Sequence, residues 1–253
     1  MVPVTGDKLE YLFYFFLTFI ISTIFSIGGV GSSVALIPFL NLFGVGFDMA
    51  KASGLFSNTL STISASILNF KKGLVGIKEV LPFALATTIF APLGAYSSTF
   101  LDTEYVKFGF GIFLFISATL MLKGKPSSHV HTQIKWLMIF GGILVGYISG
   151  ILGIGGGAII VPLLIYLGYE AKKVAILVSF IIPFSTLFAF STYLFLIEID
   201  WLLLGAVAIG SILGGIVGNH LMIYKLSQTQ IKRFLAIILY LLGIKIIWAF
   251  ICG

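Results

Sequence analysis

The sequence predicts an all-α integral membrane protein made of two inverted repeats of about five helical segments each, eight full spans plus two short or broken segments. Three observations carry that expectation. Of 253 residues, 59% are apolar and only 9% charged, with a mean hydropathy of +1.14, against about 45–50% apolar and about 25% charged in a soluble domain. A glycine-rich stretch closed by proline occurs twice at matching places, from Ile27 to Pro38 and from Ile151 to Pro162. The lysines and the arginine fall unequally between alternate loops. The net charge of +6 reflects cytoplasmic loops, which collect Lys and Arg, so no nucleic-acid partner is expected.

A helix needs ~20 mostly apolar residues to cross a hydrocarbon core of about 30 Å. The first such run, 9–27, follows Asp7-Lys8-Leu9-Glu10, which has neither a basic n-region nor a small-residue cleavage site, so a retained span is expected rather than a signal peptide. Segments 31–44 and 156–168 each start in a glycine stretch, contain Pro38 and Pro162, and are about 20 Å long at 1.5 Å per residue, too short to cross alone. The third segment, 50–70, carries Ser53, Ser57 and Ser61 on one helical face, with Asn58 and Thr62 alongside. The eighth, 173–196, answers with Ser179, Pro183, Ser185 and Thr186. Segments 79–100 and 200–222 share Leu93-Gly94-Ala95 and Leu213-Gly214-Gly215; 105–123 and 230–250 are entered through Thr103–Phe108 and Thr229–Phe234. Segment 135–152 leads into the second glycine stretch as 9–27 leads into the first. The division is therefore a first repeat at 1–123, a polar linker at 124–134 and a second repeat at 135–253. His129 and His131 in the linker have no carboxylate or cysteine nearby to complete a metal site, and Cys252, the only cysteine, excludes an internal disulfide.

The basic residues test the number of reversals. If every segment reverses the chain, Lys71, Lys72, Lys78, Lys123, Lys125, Lys135, Lys172, Lys173, Lys225, Lys232 and Arg233 share one side, and Lys8, Lys51 and Lys107 the other. If each short segment only completes its predecessor's crossing, the division is even. The positive-inside bias favours the first arrangement, with both termini extracytoplasmic. Five reversals per half invert the second half relative to the first, as in many secondary transporters. Lys245, inside the last span, is expected to snorkel.

The pattern Gly-x-Gly-Gly-Gly-x-x-x-x-Pro from Gly153 to Pro162, its weaker echo from Gly29 to Pro38, and the Ala and Ser that follow each (Ala52 and Ser57; Ala175 and Ser179) resemble the sulfite exporter TauE/SafE family over nearly the whole chain. The echo departs from the pattern at Ser32 and Ser33. The resemblance implies a multi-pass cell-membrane permease for small anions, with sulfite, sulfonates or related sulfur-containing organic acids as the substrate class.

The residues support an anion site independently. Glycine weakens a helix by about 1 kcal/mol relative to alanine, so Gly153, Gly155, Gly156 and Gly157, with Gly29 and Gly31 in the first copy, mark a break and a new helix start. A helix start presents unpaired N–H groups and the positive end of the macrodipole to an anion. Ser32 and Ser33 add hydroxyl donors and are candidate N-caps, while Pro38 and Pro162 would kink the short helices or free carbonyls. The candidate substrate-binding set is thus Gly29, Gly31, Ser32, Ser33, Pro38, Ser57, Asn58, Gly153, Gly155, Gly156, Gly157, Pro162 and Ser179. For the Ser/Thr/Asn face, interhelical hydrogen bonding is an equal alternative to lining a path. Isolated glycine pairs, Gly205 with Gly210, Gly214 with Gly218 and Gly109 with Gly111, are read as close packing; a small-residue face on segment nine leaves room for a homodimer. His220 is the candidate proton-coupling residue.

Gly153-x-Gly155-x-x-Ala158 has no strand before it and is discounted as a dinucleotide site. No Walker A or His-Glu-x-x-His motif occurs, and Ser149 has no evident base, so no cofactor, metal or catalytic residue is expected. An anion channel and, more distantly, an intramembrane enzyme are the competing readings.

Overall fold

The computed structural model describes residues 8–73, 77–123, 135–166 and 169–252; the linker 124–134, with His129 and His131, lies outside the described residues. Among the described residues the regular structure is ten α-helices without a strand. In chain order they are α1 (Lys8–Ser26), α2 (Ser33–Leu42), α3 (Phe47–Lys71), α4 (Ile77–Ser98), α5 (Thr103–Lys123), α6 (Lys135–Leu152), α7 (Gly157–Tyr166), α8 (Ala171–Leu196), α9 (Trp201–Tyr224) and α10 (Gln228–Cys252).

Local chemistry fixes several boundaries. Asp200 Oδ1 accepts from the N–H groups of Leu202 and Leu203, both at 3.0 Å, and starts α9. Before α10, Ser227 Oγ accepts from Gln230 N at 3.3 Å while Gln230 Oε1 accepts from Ser227 N at 2.9 Å, a reciprocal cap. Asp102 Oδ1 holds Glu104 N at the entry to α5. The short helices have 10 residues each; α2 starts two residues later than the expected segment and α7 one residue later, because the glycine loops extend to Ser32 and Gly156.

Length and composition qualify four helices as candidate spans: Leu9–Ser26, Glu104–Lys123, Ala171–Leu196 and Trp201–Tyr224. α3 is as long, at 25 residues, but Ser, Thr and Asn lower its hydropathy. Those groups point inwards: Ser53, Ser57, Asn58, Thr59, Ser61, Thr62 and Asn69 are all buried. The outer surface is apolar instead, with Leu9, Phe16, Ile20, Ile89, Phe188, Phe195, Ile209, Ile237 and Trp248 exposed. A surface of that kind is incompatible with water over such an area and suits lipid. The chain is a multi-pass membrane protein with a polar interior seam.

Packing partners follow a regular scheme. α1 lies on α9 and α6 on α4; α3 touches α9 and α8 touches α4; α3 meets α8, and α5 meets α10. Each contact recurs when every helix is replaced by the one five places along the chain. Residue pairs give the directions. Thr59 meets Thr186 and Ser66 meets Ser179, so α3 and α8 run antiparallel. Thr119 meets Tyr240 and Gly111 meets Ile247, so α5 and α10 do likewise. By contrast α1 and α9 run parallel, as do α4 and α6.

The parallel pairs are close because of glycine. A Cβ at Gly210, Gly214 or Gly218 of α9 would overlap the backbone of Phe15, Phe19 or Thr23 on α1, and one at Gly142, Gly146 or Gly150 of α6 would strike α4 between Phe83 and Ala95. Two assignments of the packing role are corrected: Gly205 and Gly109 have open space where a Cβ would stand. The α9 stripe from Gly210 to Gly218 is covered by α1 within the same chain, so it does not form an exposed face for a homodimer.

Candidate functional site

The two glycine loops meet in the centre of the bundle. Gly29 and Gly31 have φ of 67° and 92°, and Gly153, Gly155 and Gly156 have 73°, 69° and 69°. These left-handed conformations favour glycine, and they turn α1 back into α2 and α6 back into α7. The loops are in contact: a Cβ on Gly157 would overlap the Val30 carbonyl, and one on Gly155 would overlap Thr186 of α8. Gly29 lies against the backbone of Ala175, and Gly31 against the Asn58 amide.

Two side chains tie the crossing together. Ser33, the first residue of α2, donates from Oγ to the Ile154 carbonyl at 2.8 Å. Asn58, half-way along α3, donates from Nδ2 to Ser33 Oγ at 3.0 Å and to Ile154 O at 3.2 Å. The first half of the chain therefore binds the glycine loop of the second. Asn58 Oδ1 is buried without a hydrogen-bond partner among the described residues. An orphaned buried acceptor costs about 1–3 kcal/mol.

Both short helices begin at this point. Ser32 O accepts from Ala35 N and Leu36 N, and Gly156 O accepts from Ile159 N and Ile160 N. The earlier N–H groups of each first turn have no partner within their own helix and carry the positive end of its dipole. One expectation is corrected here: Ser32 stands at the N-cap position of α2 with helical φ and ψ, and its side chain makes no capping bond. Its hydroxyl lies 2.8 Å from Ser57 Oγ on α3, which lies 3.4 Å from Ser22 Oγ. Residues 25–37 and 152–158 are buried, so the crossing is closed in this conformation.

Of the sequence-predicted residues, Gly29, Gly31, Ser32, Ser33, Ser57, Asn58, Gly155 and Gly157 gather at the crossing. Gly153 faces outward from it, against the stem of Lys51, and Gly156 sits beside Val145 and Ser149 in ordinary contact. Pro162 is buried inside α7. Pro38 lies away from the centre, on a side cavity of about 440 Å³ also lined by Phe47, Glu104, Lys107 and Lys245. Ser179 sits at the other end of α3. It accepts from Asn69 Nδ2 at 3.3 Å, Ser66 donates to its carbonyl at 2.6 Å, and Asn219 donates to Asn69 Oδ1 at 3.1 Å. His220 turns outward from that cluster, exposed, with its ring 4.7 Å from Tyr224. Among the described residues no group of three His, Cys, Asp or Glu has metal-site spacing.

Sequence reasoning missed Lys51. Among the residues whose side chains are described it is the only charged one that is buried, 1% exposed, with Nζ 2.8 Å from Asp48 and 3.2 Å from Ser98 Oγ. A segment start at residue 50 made it a loop lysine, whereas α3 starts at Phe47 and carries Lys51 inward. Its spacing of seven from Asn58, two helical turns on the same face, was the available signal.

The chain is similar to proteins from distant microbes. It is 26% identical to the probable membrane transporter protein YunE of Bacillus subtilis, covering 95% of this chain and 98% of that one. It is 26% identical to a probable membrane transporter protein of Methanocaldococcus jannaschii over 74% of this chain and 76% of the other, and 28% identical to one from a Sinorhizobium species over 93% and 91%. The model of the family described as Sulfite exporter TauE/SafE matches residues 14–246. With the two crossed glycine loops inside that match, the chain belongs to the sulfite exporter TauE/SafE family.

Proposed function

We propose that the protein is a secondary transporter that moves a small anion across the cell membrane by alternating access, with sulfite, a sulfonate or a related sulfur-containing organic acid as cargo. The observation that carries this reading is the meeting of two helix starts with the Asn58 amide between them. An anion offers acceptors to the first-turn N–H groups of α2 and α7. A singly protonated oxyanion also offers the O–H that Asn58 Oδ1 lacks.

The helix directions support two inverted repeats, 1–123 and 135–253. α3 with α8 and α5 with α10 are equivalent pairs, and antiparallel equivalents are what an odd number of reversals requires. Parallel α1 with α9 and parallel α4 with α6 are consistent with the same scheme. If each short helix merely extended its predecessor, α3 and α8 would run the same way. Combined with the Lys and Arg distribution, this reading puts both termini outside the cell. The closed crossing then belongs to one stage of a cycle in which each loop in turn opens to its own side. A proton, if one is carried, travels with the substrate or through His220.

Flux of labelled sulfite, methanesulfonate and sulfate into proteoliposomes, with and without a pH gradient, tests the proposal. Saturable uptake of at least one of them is expected. Ohmic conductance without saturation would sink the carrier reading in favour of a channel, and absence of flux for all three would remove the substrate class.

A further inference from the structure

The buried lysine near the start of α3 is unused by the site described above. Lys51 Nζ is fully enclosed, yet its counter-ion Asp48 is half exposed, with 48% of its side chain accessible. The pair is therefore graded from solvent inward: carboxylate at the surface, ammonium behind it. Beyond the ammonium the polar chain continues through Ser98 Oγ to the Tyr193 hydroxyl, 3.0 Å further on. On another side the lysine stem rests on Gly153, the first glycine of the second loop. Two turns along α3, about 10 Å away, stands Asn58.

The approach from outside carries further charge: Lys107 and Lys245 line it together with Glu104, whose Oε1 pairs with Lys107 Nζ at 2.9 Å. The ring of Phe47 has Lys51 Nζ 4.9 Å from its centroid and Lys107 Nζ 5.3 Å from it. Phe47 thus stands between the buried ammonium and the side cavity that Lys107 and Lys245 line. Burying a charge is costly unless it is paired, and ionisable groups inside membrane proteins mark substrate paths.

From this grading we infer that Lys51 is an anion-binding residue on the route to the glycine loops, and that Asp48 holds its charge only until an anion replaces it. Phe47 and Tyr193, whose rings lie 4.9 and 5.5 Å from Nζ, keep the ammonium in place during the exchange. This inference rests on the transport reading, but its test separates the two.

The experiment uses the full chain, with Lys51→Met, Lys51→Arg, Asp48→Asn and the double variant, and reads sulfite KM in proteoliposomes beside sulfite binding to the detergent-solubilised protein by titration calorimetry. Lys51→Met is expected to weaken binding and raise KM by about ten- to a hundredfold, the loss of one charge-assisted hydrogen bond. Lys51→Arg keeps most of the affinity. Asp48→Asn removes the competing carboxylate and lowers KM by about two- to fivefold. The double variant stays as weak as Lys51→Met. A purely structural pair gives the opposite pattern: Asp48→Asn loses affinity or folding, and the double variant recovers it. That pattern, or wild-type KM in folded Lys51→Met, overturns the assignment. Binding that depends on Lys51 without flux of sulfite, methanesulfonate or sulfate supports the assignment and overturns only the transport reading; neither binding nor flux of any of the three in the wild type overturns both.

Discussion

At the residue scale the centre depends on a few atoms. Asn58 donates to Ser33 Oγ and to the Ile154 carbonyl, which Ser33 also reaches directly, so Asn58→Ala leaves those two bonded to each other and removes the amide from the proposed anion path. Flux is expected to fall by about ten- to a hundredfold, measured as initial sulfite uptake at equal protein incorporation. Gly157→Ala has a steric reason to fail, because its Cβ would meet the Val30 carbonyl where the loops cross. Overpacking costs about 1–3 kcal/mol, so its unfolding temperature should drop along with transport. Gly156 differs: its nearest neighbours lie at 3.5–3.8 Å, and substitution there strains only a backbone with φ of 69°. Gly156→Ala should therefore be milder than Gly157→Ala, an ordering that a shared loss of function would not produce.

At the element scale the helices divide by what their glycines do. Those in the loops break helices, and Gly142, Gly146 and Gly150 on α6 and Gly210, Gly214 and Gly218 on α9 bring helices together. Gly214→Val would push α9 off the Phe19 backbone and Ser22 of α1, at a cost of about 1–3 kcal/mol, whereas Gly205→Val fills open space and should stay within about 0.5 kcal/mol. Thermal unfolding in one detergent compares them directly. The sequence did not distinguish these two glycines, since both sit in the same apolar run and only the position of α1 separates them. The breaks, the two short helices and the inward polar face of α3 were legible. Consecutive glycines cannot sustain a helix, and a row of hydroxyls and amides in an apolar chain has to turn away from lipid. Ser179 was not legible. Paired with Ser57 it is two residues out of register, because the starts of α3 and α8 at Phe47 and Ala171 have the same offset as Pro38 and Pro162, which sets Ser57 against Ile181. Ser57 stays by the glycine loops while Ser179 joins Ser66 and Asn69.

At the scale of the whole molecule, apolar composition gave the membrane class, and the outward apolar faces agree with it. Helix direction is where structure adds most: the Lys and Arg distribution depends on how many times the chain reverses, and antiparallel α3 and α8 bear on that number. The arrangement predicts that Lys72 and Lys225 lie on the same side of the membrane. Single cysteines at those positions in a Cys252→Ser background should be labelled by an impermeant reagent from the cytoplasmic face only. Labelling from opposite faces would mean that the short helices complete their predecessors' crossings and that the repeats are not inverted.

The most direct test of a carrier working through the crossed loops is counterflow. Proteoliposomes loaded with unlabelled sulfite and diluted into labelled sulfite should transiently accumulate label above equilibrium, an overshoot that an open pore cannot give. Asn58→Ala, at equal protein incorporation, should build its overshoot about ten- to a hundredfold more slowly. Equilibration of the wild type without overshoot, or an overshoot in Asn58→Ala as fast as the wild type's, would contradict the account.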